Sequence, residues 1–474
     1  MTTKAFAENR IWFFAIALSC LAVLTTALFP SPWFSLAGFL SLFLFVLFLV
    51  NVNWGIYALL LASVSTAISF EVGPFTVRPE QVITLLLAAV LFLFLISGSR
   101  QVYRSALDFF ILAFLLLNVI SSLLHSPDVR TSLQKCALLS ITFLAYFVST
   151  QLLTREKILS NLIAFLVILG VLEAIYGIVS VILFTSGIDI GGAQAPYGDV
   201  YARGSFIEGN IFGSFEMMVS LILVSLLLSK SKHFSGKKGL IIIALVITLV
   251  ASIMSFTRAA WLGFIAGFAA YLIFLRRQLI ARALNYLPII MVSFVLLGAV
   301  AYSLSVSIKK GDVSLLEIYV ERFRKIMDYR STQSASSRVK VWQESIRLWR
   351  RNPILGNGTD SIKSLAVGTN MPMFGTEYWI PNSMISSLHD TGILGLAMFG
   401  SIQLVFLMKL RNAIRRTRSS YYQAVLEGFF AAFVGAQVAY FFTNAFWLVF
   451  IWIFMAIGIS FCRLAVLVPD SQSD

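Results

Sequence analysis

The chain is written as a succession of apolar runs, each roughly 17 to 25 residues long, the length an α-helix needs to cross ~30 Å of hydrocarbon. "LAGFLSLFLFVLFLV" and "IIIALVITLVASIM" are two of them. About fourteen such spans can be read, near residues 11–29, 33–50, 54–70, 80–97, 106–124, 133–152, 158–184, 210–229, 239–255, 258–275, 285–306, 383–409, 421–442 and 444–466. Composition agrees, since 12% of residues are charged and mean hydropathy is +0.88, against about 25% charged for soluble domains. The expected class is an all-α polytopic membrane protein. It divides into residues 1–306 with helices one to eleven, a segment 307–381 outside the membrane, and residues 382–474 with three further helices and a tail. The first run is too long for a signal-peptide core and lacks a small-residue cleavage pattern, so it reads as mature chain.

Charge fixes the expected orientation. With the N-terminus inside, the cytoplasmic connections include "SGSRQVYR", "TREK", "KSKHFSGKK", "RRQLIAR" and "KLRNAIRRTR", whereas the short outer loops hold only Arg78, Arg130, Lys135, Arg203 and Arg258. The positive-inside rule then puts both termini in the cytoplasm. The net charge of +14 is accounted for by this asymmetry and by anchoring to anionic lipid, so no nucleic-acid partner is expected. Cys20, Cys136 and Cys462 have no metal or redox spacing and read as core residues.

The elaborated face is the outer one, with the loop 185–209 and the segment 307–381. Three motifs there carry arginine. In "VYARGSFIEGNIFGSF", Arg203 and Asn210 bracket a helix start, where backbone N–H groups and a guanidinium suit an anion. In "SFTRAAWLG", Arg258 sits in a tight outer connection, a position the orientation rule disfavours; stacking on Trp261 would also explain it. In "SASSRVKVWQESIRLWRRNPILGNG", Lys340, Glu344, Arg347 and Arg351 form one helical face and Arg338, Trp342, Ile346 and Trp349 the other. Arg338 is thereby the cation on the packed side, unless the helix lies flat on the bilayer. Three arginines on one side suit a diphosphate, which takes several guanidinium forks. The sequence shows no acidic pair or ligand cluster for a metal on this face.

With "RGSFIEGN", "FTRAAWLG", "SSRVKVWQESIRLWRRNPILGNG" and "PNSMISSLHDTGILGL" in this order over residues 200–400, the chain resembles the bacterial O-antigen ligase and O-antigen polymerase superfamily. The resemblance implies a fold of the GT-C glycosyltransferase class with a long periplasmic loop late in the chain. It also implies an undecaprenyl-diphosphate-linked glycan donor, a glycan or lipid acceptor, and a metal-independent, inverting transfer on the periplasmic side of the cytoplasmic membrane. A chain-length regulator is a further expected partner, and no cofactor is expected. Ligases of this family carry a His-Asn pair ahead of Gly-x-x-Gly, with the His as proposed activator of the acceptor. Here Asn382, Gly392 and Gly395 match, but the His position is Pro381.

Proline has no titratable group, so an acceptor base would come from His389, Glu377 or Glu208, with Asp390 a further candidate. The departure favours a polymerase, with an O-antigen ligase as the alternative and a lipid-linked oligosaccharide transporter as a third reading. His389 could equally hold a neighbouring helix, and Gly392 and Gly395 read as helix-packing positions. Glu216, within a span, could orient an arginine or a sugar hydroxyl, or be protonated and inert.

Overall fold

The computed structural model describes residues 32–72, 75–98, 100–195, 200–275, 333–369, 371–373 and 378–467. The expected spans 11–29 and 285–306, the stretch 307–332 and Glu377 lie outside the described residues.

Among those residues the chain is a helical bundle with two very short hairpins. Helix α1 (Pro32–Val50) is followed at once by α2 (Val52–Val64), because the Asn51 side chain caps the new helix by accepting from Asn53 N at 3.1 Å. The expected span 54–70 stops early. Its polar tail "STAISFEV" turns into β1 (Phe70–Val72), which pairs antiparallel with β2 (Phe75–Val77). Helix α3 (Pro79–Ile96) opens on a proline, α4 (Ala106–His125) on a capping box between Ser105 and Asp108, and α5 (Val129–Leu152) on Asp128, whose carboxylate accepts from Thr131 N. Helix α6 (Glu156–Thr185) leads to the second hairpin, β3 (Ala193–Gln194) and β4 (Tyr201–Ala202). Then come α7 (Gly209–Leu228), a single turn α8 (Lys232–Ser235), α9 (Lys238–Met254) and α10 (Arg258–Ala270), which continues as a π turn, Tyr271–Leu275. Helices α11 (Gln333–Trp349) and α12 (Ile362–Leu365) precede α13 (Ser383–Arg416), α14 (Ser420–Ala439) and α15 (Val449–Leu467).

Seven of the described helices, α3 to α7, α13 and α15, are long and apolar enough to cross a membrane, and four shorter apolar helices accompany them. Burial sorts them by depth. The apolar window of α7 is 89% buried and that of α15 83%, whereas that of α3 is only 28%, so α7 and α15 form the core and α3 faces outward. Helix α14 is enclosed by α7, α10, α13 and α15. It tolerates the fully buried Glu427 because its neighbours there are protein. Against α10 it packs backbone to backbone: a Cβ at either Gly263 or Gly435 would lie 2.6 Å from the other's carbonyl oxygen. That contact fixes the start of α10, and with it Arg258.

Helix α11 lies against α13. The side it buries is the line Val341, Ser345, Leu348, with Arg338 and Trp342 along its flank and Ile346 and Trp349 half-exposed. The packed face is rotated from the expected Arg338–Trp342–Ile346–Trp349 line because Val341 and Leu348 share a small core with Ile362, Ala366, Met371 and Ile380.

Candidate functional site

The arginine site begins where two helices start side by side. Thr257, which precedes α10, donates from Oγ1 to the Gly209 carbonyl at 3.1 Å and lies 3.4 Å from Asn210 Oδ1. The amino ends of α7 and α10 are therefore joined, which brings two positive helix-dipole ends side by side. The turn into α10 is tight enough to hold Phe256 at φ 52°, a left-handed conformation that a side chain rarely adopts.

Three charged side chains lie within electrostatic reach of that place. Glu208 precedes α7, next to Asn210, and feels the charge of Arg338 of α11. Arg338 in turn feels the charge of Arg258 at the first position of α10. Burial pushes the Glu208 carboxyl above the usual carboxylate range, with the Arg338 charge and the Asn210 hydrogen bond pulling the other way. Burial lowers the Arg338 guanidinium, opposed by Glu208 and reinforced by Arg258. The Arg338 Nε is buried without a hydrogen-bond partner among the described residues, so the site holds a donor ready for an incoming acceptor atom. One turn further along α11, Trp342 donates from Nε1 to the Pro381 carbonyl at 3.3 Å and packs edge-on against Phe441. Asn382 follows as the N-cap of α13, its Oδ1 accepting from Ile385 N at 2.8 Å.

A second polar assembly lies at the same end of the bundle. Helix α13 is broken at Gly392 (φ 67°, ψ −164°), and residues 353–358 cross the break. Asn357 N donates to the His389 carbonyl (2.9 Å) and Gly358 N to that of Asp390 (3.0 Å), while Ile393 N donates to Pro353 (3.0 Å). The loop thus satisfies backbone groups that the break released, as a protein interior requires. A Cβ at Gly392 would press into the Ile354 carbonyl, and one at Gly356 would lie 2.5 Å from the Asp390 backbone. Ser121 of α4 adds a hydroxyl to the Asp390 carbonyl at 2.6 Å. His389 is fully buried with Nδ1 2.9 Å from Asp390 Oδ1, and its Nε2 has no partner among the described residues. Asp390 Oδ2 accepts from Asp360 N at 3.3 Å.

Residues 243–400 match the O-antigen ligase family. The match covers about a third of the chain, and a comparison of the whole chain with curated proteins gave no match. The resemblance to the O-antigen ligase and polymerase superfamily, whose members are membrane transferases for lipid-linked glycans, rests on this domain. The matched segment runs from α9 to the middle of α13. It contains Arg258, Arg338, the loop 353–358 and the Gly392 break; Arg203, Glu208 and Asn210 precede it.

The structure brings together Arg258, Arg338, Glu208 and Asn210, with Trp342 and Asn382 adjoining through Pro381. Arg203 stands at the end of the second hairpin, where its Nε donates to the Gly191 carbonyl at 2.9 Å. Glu216 is enclosed inside α7, neither carboxylate oxygen partnered among the described residues, and the charged group it interacts with is Glu173 rather than an arginine. His389 belongs to the junction at the Gly392 break. Sequence reading missed Thr257 and the loop exchange. The signal for Thr257 was its N-cap position before Arg258. For Gly392 it was a glycine beside His-Asp-Thr, which reads equally as a packing residue.

Proposed function

We propose that this chain is a metal-independent glycosyltransferase that moves a glycan from undecaprenyl diphosphate to an acceptor sugar hydroxyl on the outer face of the cytoplasmic membrane, with inversion. Arg258 and Arg338, with Arg203 from the neighbouring loop, bind the donor diphosphate. As the acceptor oxygen forms its bond to the anomeric carbon, the carbon–oxygen bond to phosphate breaks and the electron pair leaves with undecaprenyl diphosphate, whose growing charge the Arg258 and Arg338 guanidinium groups stabilise. Glu208 takes the hydroxyl proton. Burial suits it to this work, since a base with a pKa raised toward the working pH is more effective.

The observation that carries this reading is the buried Arg338, its Nε without a hydrogen-bond partner among the described residues, within electrostatic reach of both Glu208 and Arg258 at the joined starts of α7 and α10. Because Pro381 stands where ligases carry histidine, the reaction is assigned to repeat-unit polymerisation, with the growing lipid-linked chain transferred onto the next lipid-linked unit. The test is purified protein with a lipid-linked repeat unit alone. A ladder of products is expected; product only after lipid A core is added would make the chain a ligase, and absence of chemistry would favour transport. Activity should fall as pH drops through the Glu208 pKa, because the base must be ionised. Glu208→Gln should remove that acid limb and cost about a hundredfold in kcat, and an unchanged profile would exclude Glu208 as base.

A further inference from the structure

The end of the bundle opposite Arg258 and Arg338 carries its own arginine cluster, at the last turn of α5. Arg100, in the α3–α4 connection, donates from Nη1 to the Gln151 carbonyl at 2.9 Å, and Arg463 of α15 donates from Nη2 to the Leu153 carbonyl. Arg155 follows as the residue before α6. The Arg463 guanidinium lies 4.4 Å over the Tyr103 ring. The Tyr103 backbone is held in turn by the Gln151 side chain through bonds of 2.7 and 2.8 Å. Two guanidinium groups are therefore held at one corner, and the exposed Arg155, two residues past the Leu153 carbonyl, adds its charge to Arg100.

Capping a helix end does not account for three of them. The carboxyl end of a helix presents about half a negative charge, which one cation matches, and each guanidinium has five N–H donors. The acidic side chains nearby face other partners: Asp108 accepts from Ser105 N at 2.7 Å and from the Tyr146 hydroxyl, and Glu156 faces Tyr421 and Tyr422. Arg100 feels the Arg155 charge beside its own burial, and Arg463 faces Arg100. Roughly two and a half positive charges are left uncompensated by the helix end. Alongside, α3 and the connection after it expose Phe92, Ile96 and Val102, at 61, 69 and 61%.

We infer that Arg100, Arg155 and Arg463 bind the phosphodiester headgroup of an anionic glycerophospholipid whose acyl chain lies along the exposed face of α3. The cluster supplies the multiple N–H forks that a phosphate accepts. The apolar wall beside it decides for a lipid over free phosphate, which has no use for such a surface.

The experiment is the full-length protein in nanodiscs of equal phosphatidylglycerol and phosphatidylcholine, with the lipid retained after detergent extraction identified by mass spectrometry. Enrichment of phosphatidylglycerol is expected, falling about fivefold for each arginine removed and vanishing in the triple Gln variant. Arg100 and Arg463 also cap α5, so their variants are open to misfolding. Arg155→Gln, at an exposed side chain, then decides alone. Equal retention of the two lipids, or an enrichment that Arg155→Gln leaves intact, would overturn the assignment. Displacement of phosphatidylglycerol by excess inorganic phosphate would give the site to free phosphate and equally overturn it.

Discussion

Two polar regions share one end of the bundle, and each contains one of the two non-glycine residues with positive φ among the described residues: Phe256 before Arg258, and Asp360 just after the loop that crosses the α13 break. Their chemistry diverges. Around Gly392 most polar groups are paired: helix carbonyls take loop amides, Ser121 donates to the Asp390 carbonyl, and the Asp390 carboxylate has His389 on one oxygen and Asp360 N on the other, while His389 Nε2 and Asn357 Nδ2 have no partner among the described residues. Around Arg338, one carboxylate and a second cation act on a buried guanidinium beside the starts of two helices, and its Nε is without a hydrogen-bond partner among the described residues. The first region is a joint between segments far apart in sequence, held mainly by backbone exchange. The second has an excess of donors, which suits an anionic ligand.

The comparison breaks most sharply at Arg338. Arg338→Lys keeps the charge but loses the fork, so kcat/KM for the lipid-linked unit should fall by about a hundredfold or more with an unchanged melting temperature. Activity close to wild type would dissolve the distinction between the two regions. Gly392→Ala should do the reverse. The left-handed φ and the approach of Ile354 predict a loss of about 2 to 4 kcal/mol, read as a lower melting temperature in detergent and poorer recovery from membranes. His389→Ala removes one partner of Asp390 and should cost about 1 to 3 kcal/mol in stability, with transfer per folded molecule within a few-fold of wild type. Loss of transfer in a normally stable protein would move the chemistry to the joint.

The smallest effect is expected at Asp360. Burial pushes its carboxyl up to about 6, opposed by Lys363 and Lys135, 3.5 and 3.8 Å away, and supported by Asp390. A carboxyl whose folded pKa is raised contributes stability at low pH that is lost as pH rises through about 6. Asp360→Asn keeps the shape, and asparagine tolerates positive φ. It should therefore flatten that pH dependence and change stability at neutral pH by about 1 kcal/mol or less.

How much of this was legible in the sequence depends on the range of the interaction. Apolar length and caps are local, so most helices fall near the expected spans. The exceptions are ends where polar residues take over, as after Val64, or where connecting segments pack, as between Ala439 and Val449. The charged and apolar sides of α11 were separable by period, yet its inward line was off by about one residue because Ile362 and Ile380, far along the chain, choose which residues it buries. Arg258 and Arg338 could be named from type and placement. Their meeting with Glu208 could not, because it depends on Thr257 joining two helix starts and on Gly263 and Gly435 letting α10 approach α14.

The break at Gly392 also resolves a problem of length. As one straight rod, the 34 residues of α13 would measure about 51 Å, well over the ~30 Å of hydrocarbon. The break leaves Ile393–Arg416 as a rod of about 36 Å, which fits with modest tilt. It also frees Ser383 to Thr391 to run in another direction against the loop. Ser386, His389 and Asp390 can therefore follow one another in a single helical run without any of them having to dissolve in lipid, where an acidic side chain alone would cost about 2.5 to 3.5 kcal/mol.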